Sequence, residues 1–491
     1  MKDVLLINID LGTSGVKVEV YDERGKLLAE GKAPIHKQTT SEWVRALKEA
    51  TPTSFLTSSK GRKIVTADST SGTFILVDEY GNPLADPVMY YEKSLHGYNL
   101  VKDLESVREL SELGVHVDAA SPISKLVELR EKGLLERARW VIPPTQWVLY
   151  KLVYSEKQKW TSVEVDYTNA LKFGANITRE PPEWYKPVFE ETKIPLEKMP
   201  RIVGCGEYMG IAESKFAREL GLEGAEVYQG VTDGNAAALA SGALKEGDLS
   251  IYGGTTVVPK YVSSTIKQHP AVYYHKHPLK GYLAGAATSF TGGFLSWFAE
   301  KLLGMTVDEL VKYTEQLDDY SGVPLFMPPG DRSPFNDPFL KAALLGLYPW
   351  DEPREKILGK LGLAVMLGIT FLEYSYVDLF EKLFGKRVSE VRLTGGTVKS
   401  RLWNELRAAI YERPVKIYGE RVGVGALIPA VLKSGLFKDI EEVERVFLAP
   451  QGAYTPNPQL TSVFKKDRDL FVARWRGLQK VYRETSVESL A

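Results

Sequence analysis

Cysteine is all but missing from this chain of 491 residues. Cys205 stands alone, so no intramolecular disulfide can form, and a reducing compartment fits. It has no local signature of a nucleophile and is expected to be structural. An excess of either charge is also missing. Lys and Arg total 62 against 63 Asp and Glu, a net of −1, so nothing favours nucleic acid or an anionic membrane as a partner. Long hydrophobic runs are lacking too. The most apolar stretch, residues 361–372, stops at Glu373. It is too short to span a bilayer and predicts a buried helix. At the start, the apolar run meets Asp10 before any cleavage-like site, so no secretory leader is read there and a cytoplasmic location is expected. No GxxxxGK[ST] occurs, which excludes a Walker-type NTPase. "GVGALI" from Gly423 ends in Ile428 where a dinucleotide fingerprint requires glycine. His275 and His277 alternate along one strand without a Cys, His or carboxylate partner pattern, and are expected at the surface rather than on a metal. There are no low-complexity tracts and no repeats of 20–50 residues.

What is present is an ordinary globular composition, 44% hydrophobic and 25% charged, in a chain too long for one core. Alternation marks strands at "VLLINI", "VKVEVYD" and "KLLAEG", joined by "GTSG" and "ERGK" into an antiparallel meander. A further strand, "KIVTAD", meets "STSGT" and continues into "FILVDEYGNPL". Helical patterns follow through "LVKDLESVRELSEL" and "ISKLVELREKGLLERA". About half a chain later "DLSIYGGTTVVPKYV" repeats the opening: strand, Gly/Thr tip, strand. Long helical segments such as Arg354–Phe384 follow, then a strand–turn–helix, "VSEVRLTGGTVKSRLWNELRAAIY", and a polar helix over 464–483. This predicts two α/β domains, 1–246 and 247–491.

Four constellations carry chemistry. Asp10 is followed by the small residues Gly12, Thr13 and Ser14, with Lys17 beyond. A tight tip of this kind turns several N–H groups to one point, where they and the hydroxyls can hold anionic oxygens. A carboxylate beside a phosphate repels it unless a cation intervenes, so Asp10 suggests Mg²⁺. An ordinary hairpin uses the same residues. Gly254, Thr255 and Thr256 form the second tip, and the pair reads as a duplicated phosphate clamp, one jaw per domain. Asp233 opens a small-residue helix in "GVTDGNAAALASGAL". It can cap that helix, act as a general base towards a substrate hydroxyl, or do both. Gly395 and Gly396 precede a helix with Ser400 and Trp403 on its first turns; they could seat adenosine or serve as a plain strand–helix turn.

In this order and at these separations the four resemble the FGGY carbohydrate kinases over about residues 5–437. "DLGTSGVK" and "GGTT" are similar to that family's two phosphate motifs, "GVTDGNAAALASGAL" to its catalytic segment, and "LTGGTVKSRLW" to its adenosine motif. The resemblance implies a two-domain actin/hexokinase-like (ribonuclease H-like) α/β fold, with a duplicated core and ATP-Mg²⁺ and sugar in an interdomain cleft. It makes Asp233 the catalytic base. It puts ATP on Gly12, Thr13, Ser14, Lys17, Gly254, Thr255, Thr256, Gly395, Gly396, Ser400 and Trp403, and the metal on Asp10. "ADSTSGTFILVDEYGNPL" and "VDYTNALKFG" look like the D-ribulose kinases, which implies sugar contacts at Asp10, Ser71 and Asp233 and phosphorylation of a ketopentose, D-ribulose foremost. D-xylulose, L-ribulose or a polyol such as glycerol is the near alternative. An actin- or Hsp70-like ATP-binding protein is the alternative of another class. The partners so implied are a sugar and ATP, with no nucleic acid and no membrane, and a homodimer is compatible. Two departures stand out. Residues 90–94 read Tyr-Tyr-Glu-Lys-Ser where many members have Trp-x-Asp-x-Arg, and Thr397 replaces the third glycine of the adenosine motif. "DRSP" at 331–334 stands where Glu-Arg-Thr-Pro is frequent and is expected near the cleft.

Overall fold

The structure, a computed structural model, describes residues 4–289, 291–330, 332–337 and 339–484. The chain divides into two compact units. One holds the chain up to Ala240 with Tyr274–Gly281 and Arg421–Ala449; the other holds Ser241–Tyr273, Tyr282–Glu420 and the chain from Pro450 onward.

In the first unit the meander forms as the alternation predicts. Strands β1 (Val4–Leu11), β2 (Gly15–Asp22) and β3 (Leu27–Pro34) pair antiparallel in sequence. Strand β4 (Arg62–Ser69) joins the other side of β1 in parallel register. The sheet order is Tyr208–Ile211, Glu226–Tyr228, β4, β1, β2, β3, and Val231–Thr232 also pairs with β4. β1 is buried along nearly its whole length, with only Asp10 half-buried near its carboxyl end. Trp43, Ala46, Leu47 and Ala50 recur at helical spacing on helix Thr40–Ala50 and pack on this sheet with Trp147, whose ring meets Trp43 edge-on at 6.3 Å. Burying one such large apolar side chain contributes about 1.5–3 kcal/mol. The helix Asp233–Ala240 is built of small residues for a steric reason. Helix Val422–Lys433 crosses it so closely that a Cβ on Gly425 would lie 1.9 Å from the Ala236 carbonyl oxygen. "GVGALI" therefore lies inside a packed helix.

The second unit repeats the plan. Leu249–Gly253 and Val257–Ser263 form an antiparallel hairpin, and Val391–Thr394 pairs parallel to the first of them. Tyr282–Gly285 flanks the hairpin, while Val415–Ile417 and Gly452–Tyr454 extend the other edge. Helix Arg354–Phe384 is long and apolar enough to cross a membrane by composition, yet Leu363, Ala364, Val365, Met366 and Ile369 are wholly buried in this unit's core. It ends at Gly385 in the left-handed region, which favours glycine.

Several local readings need correction. The two long helical patterns each split: Leu95–Val101 from Glu105–Glu112, and Pro122–Glu131 from Leu134–Arg137 at left-handed Gly133. Of "FILVDEYGNPL" only Ile75–Val77 is strand, because the Asp78 carboxylate accepts the N–H groups of Tyr80 and Asn82 and turns the chain. His277 is buried rather than at the surface, and its Nδ1 accepts the N–H groups of Leu279 and Lys280. The last helix runs Pro458–Glu484, longer than the polar helix expected over 464–483. Asp331 of "DRSP" lies outside the described residues.

Candidate active site

Three carboxylates meet at neighbouring strand ends of the first unit. Asp10 on β1 is the register partner of Asp68 on β4, and Asp68 is the partner of Val231. Two residues on, Asp233 opens its helix. These are the carboxyl ends of parallel strands, where open α/β sheets present ligand-binding groups. Asp10 and Asp233 are half-buried; Asp68 is wholly buried. Burial first, then the negative Asp233 and Glu19, push the Asp10 carboxyl up to about 6 against the opposing Lys17. Burial and Asp10 hold the Asp68 carboxyl well above its ordinary range. Asn8 Nδ2 donates to Asp68 Oδ1 at 2.8 Å, while Oδ2 has no hydrogen-bond partner among the described residues. Asp233 is raised by burial and lowered by the Gly234 N–H, which it accepts at 2.6 Å, and by Lys172. A half-buried carboxylate with a raised pKa is chemically suited to accept a proton.

Beside these lies the polar loop after β4. Ser69 Oγ and Thr145 Oγ1 share a hydrogen bond at 2.6 Å, and Thr70 bonds Thr73 at 2.9 Å. Ser71 is half-buried and its carbonyl accepts from Lys172 Nζ at 3.2 Å. A Cβ at Gly72 would lie 3.1 Å from Lys172 Cδ and 3.8 Å from Tyr90 Cβ, so Lys172 and Tyr90 flank the loop. Lys125 Nζ donates to the carbonyls of Met89 and Tyr90 and so holds the 90–94 segment in place. The side chains of Tyr90 and Tyr91 are 39% and 50% exposed, large apolar rings open at the edge of a polar loop. Sequence reasoning picked out neither Asp68 nor Lys172 as site residues. Asp68 becomes visible only through the parallel register with Asp10, and Lys172 only through its approach to Ser71 and Asp233.

The tips are built from backbone. Gly12 N–H donates to the Gly15 carbonyl at 3.0 Å, Ile35 N–H to that of Ser14 at 3.0 Å, and Gln38 Nε2 to that of Thr13 at 2.6 Å. Gly12 and Thr13 are half-buried and Ser14 is exposed. Lys17 faces Asp10 across the hairpin, with its ammonium on Glu19 and Glu30. In the second unit Gly254 N–H donates to the Thr256 carbonyl at 2.9 Å. Gly292 and Gly293 N–H donate to the carbonyls of Gly254 and Thr255, leaving Thr255 exposed.

That same unit brings this tip beside the Gly395 turn. Gly395 sits at φ +101°, and a Cβ there would lie 2.4 Å from the Gly253 carbonyl oxygen. Gly396 is exposed on the turn. Thr397, the departure from glycine, has a structural reason. Its carbonyl and Oγ1 accept from Arg407 at 3.1 and 3.0 Å, and Arg407 is itself paired with buried Glu373 at 2.8 Å. Ser400 caps helix Arg401–Tyr411 through the Trp403 N–H and donates to Glu315 at 3.0 Å. Trp403 is 2% exposed and its indole N–H donates to Thr370 Oγ1, so its ring packs in the core.

No group of three or more His, Cys, Asp or Glu among the described residues could hold a metal ion. Mg²⁺ does not need one, since it keeps several waters and takes one or two carboxylates plus phosphate oxygens. Asp10, with Asp233 and Glu19 adding negative charge around it, fits that requirement.

Residues 5–240 match the FGGY family of carbohydrate kinases, N-terminal domain, and residues 249–433 match its C-terminal domain. A xylulose kinase of Bacillus subtilis is 24% identical, over 95% of both chains. Among solved structures, ligand-bound xylulose kinase from Lactobacillus acidophilus superposes with a TM-score of 0.81 at 19% identity, covering 98% of this chain and 99% of that one. Plasmodium falciparum glycerol kinase with ADP gives 0.80 at 16% identity, covering 96% and 98%. The fold is the two-domain actin/hexokinase-like type of these kinases. The chain belongs to the FGGY family of carbohydrate kinases, and it is a sugar kinase.

Proposed function

We propose that the enzyme transfers the γ-phosphoryl group of ATP to a primary hydroxyl of a ketopentose, D-ribulose foremost. The reading rests on Asp233, a half-buried carboxylate of raised pKa at a strand end that adjoins those of Asp10 and Asp68. Asp233 accepts the proton of the attacking hydroxyl. Asp10 and Ser71 hold sugar hydroxyls, which need polar partners once removed from water. Lys172, between Ser71 and Asp233, adds a cation that keeps Asp233 ionised for proton abstraction. Tyr90 supplies an apolar wall.

Phosphoryl transfer asks for positioning and charge stabilisation more than covalent chemistry. The Gly12 and Gly254 N–H groups close the two tips, so the phosphate oxygens are assigned to the amides and hydroxyls of Thr13, Ser14, Thr255 and Thr256. Gly395, Gly396 and Ser400 are assigned to the nucleoside by their motif. Mg²⁺, held through water by Asp10, would neutralise phosphate charge when bound with ATP. One preorganised donor of this kind is worth about 2.7–4 kcal/mol, and a general base about 10²–10⁴-fold.

D-xylulose is the competing acceptor, favoured by the relatives named xylulose kinase. D-ribulose is favoured by the Ser/Thr loop at residues 69–73. A cytoplasmic location fits the lone buried cysteine. The test is Asp233→Asn: ATP binding by calorimetry should stay within about threefold of the parent while turnover falls by about 10²–10⁴-fold. Near-normal turnover in that variant would remove Asp233 from the reaction.

A further inference from the structure

Behind Asp233 lies a buried polar network that phosphoryl transfer leaves unassigned. Asp166 ends the strand Glu164–Asp166 and caps helix Tyr167–Ala170. It is wholly buried. Its Oδ1 accepts the N–H groups of Thr168 and Asn169 at 2.9 and 3.1 Å, and also the Thr168 hydroxyl. Its Oδ2 accepts Asn169 Nδ2 and Gln146 Nε2, both at 2.7 Å. With the Cys205 thiol, which donates to Oδ1 at 3.6 Å, six donors converge on one carboxylate. An amide in its place would turn its NH2 against at least two of them.

A threonine hydroxyl has one proton. Thr168 gives its proton to Asp166, so its lone pairs face elsewhere, and one of them accepts the Thr232 N–H at 3.1 Å. Thr232 is the residue before Asp233, and its own hydroxyl accepts Asn235 Nδ2 at 2.7 Å. The backbone entering Asp233 is pinned at its amide by Thr168 and at its side chain by the first turn of the helix.

We propose that Asp166 and Thr168 are a positioning pair that fixes Thr232 and thereby aims the Asp233 carboxylate at the acceptor hydroxyl. This rests on the reading of Asp233 as the base. Neither residue touches substrate; both act through the Thr232 amide. A base must lie about 2.6–3.2 Å from the proton's donor atom, and a misplacement of about 1 Å can cost about 10²-fold. Apart from Asp233 itself, the groups assigned to sugar and ATP lie on other segments, so the effect falls on kcat far more than on KM.

The experiment compares T168V, T168S, Q146L and D233N by kcat, KM for sugar and ATP, and melting temperature. T168V is expected to lose about 10–100-fold in kcat with both KM values within about twofold, and T168S to restore kcat to within about threefold. Q146L removes a donor from Asp166 without touching Thr168; it should melt lower and keep its kcat. Near-normal kcat in T168V beside a strong loss in D233N overturns the positioning role and leaves Asp233 as the base. Equal kcat losses in T168V and Q146L that follow melting temperature also overturn it. Normal turnover in D233N removes the base and the pair's role together. Should T168V not fold, D166N carries the same expectation of lowered kcat at unchanged KM, and normal kcat there refutes the pair.

Discussion

Replacing Asp10 by Asn should stabilise the ligand-free protein while stopping catalysis. Burial, Asp233 and Glu19 raise the Asp10 carboxyl from 3.8 to about 6. Between those two values the folded chain keeps a proton that the unfolded chain has released. Stability therefore falls as pH rises through this window, and the whole penalty is present above about pH 6. A shift of about 2 units at about 1.4 kcal/mol each amounts to ~3 kcal/mol. Asn has the same shape without the charge, so it escapes the penalty. Thermal unfolding in EDTA without nucleotide or sugar provides the assay. At pH 8 the melting transition of the first unit should rise by roughly 6 °C, taking about 2 °C per kcal/mol for a domain of that size. Towards pH 4.5 the gap between variant and parent should close. A variant that melts below the parent at pH 8, or a gap that does not narrow in acid, would refute the reasoning. Such a penalty is what a carboxylate held for a cation or substrate costs the empty protein.

Other perturbations separate the parts of the site. Ser71→Ala removes one partner of a buried sugar hydroxyl and should raise the KM for sugar by about 2–10-fold, with the KM for ATP unchanged, in steady-state assays. Gly395→Ala places a methyl 2.4 Å from the Gly253 carbonyl oxygen at φ +101°. It should cost at least about 1–3 kcal/mol in chemical denaturation and weaken ATP binding measured by calorimetry, while affinity for the sugar stays.

Much of this structure was legible in the sequence because local pattern and tertiary role agree. The meander followed from alternation and the two turn sequences, and helix Arg354–Phe384 from an apolar stretch flanked by charge and closed by Gly385. The family was legible because its motifs are short, ordered and glycine-bearing. What escaped depends on contacts between distant segments. Asp68 sits in a strand that reads like any other; its place beside Asp10 comes from parallel pairing with a residue 58 positions away. His277 looks like a surface residue by spacing, and burial follows from the turn whose amides it accepts. Residues 274–281 and 421–449 return to the first unit from far along the chain, and sequence proximity carries no trace of that. Thr397 looked like a loss from the adenosine motif until Arg407 supplied its partner.

The central claim is sugar-dependent phosphoryl transfer, and a coupled assay of ADP formation across a panel of ketopentoses, aldoses and polyols tests it most directly. The account predicts ADP release only with an acceptor present, with kcat/KM highest for a ketopentose and D-ribulose ahead of D-xylulose and L-ribulose. ATP hydrolysis at the same rate without any sugar, or a panel in which no ketopentose is turned over, would contradict it.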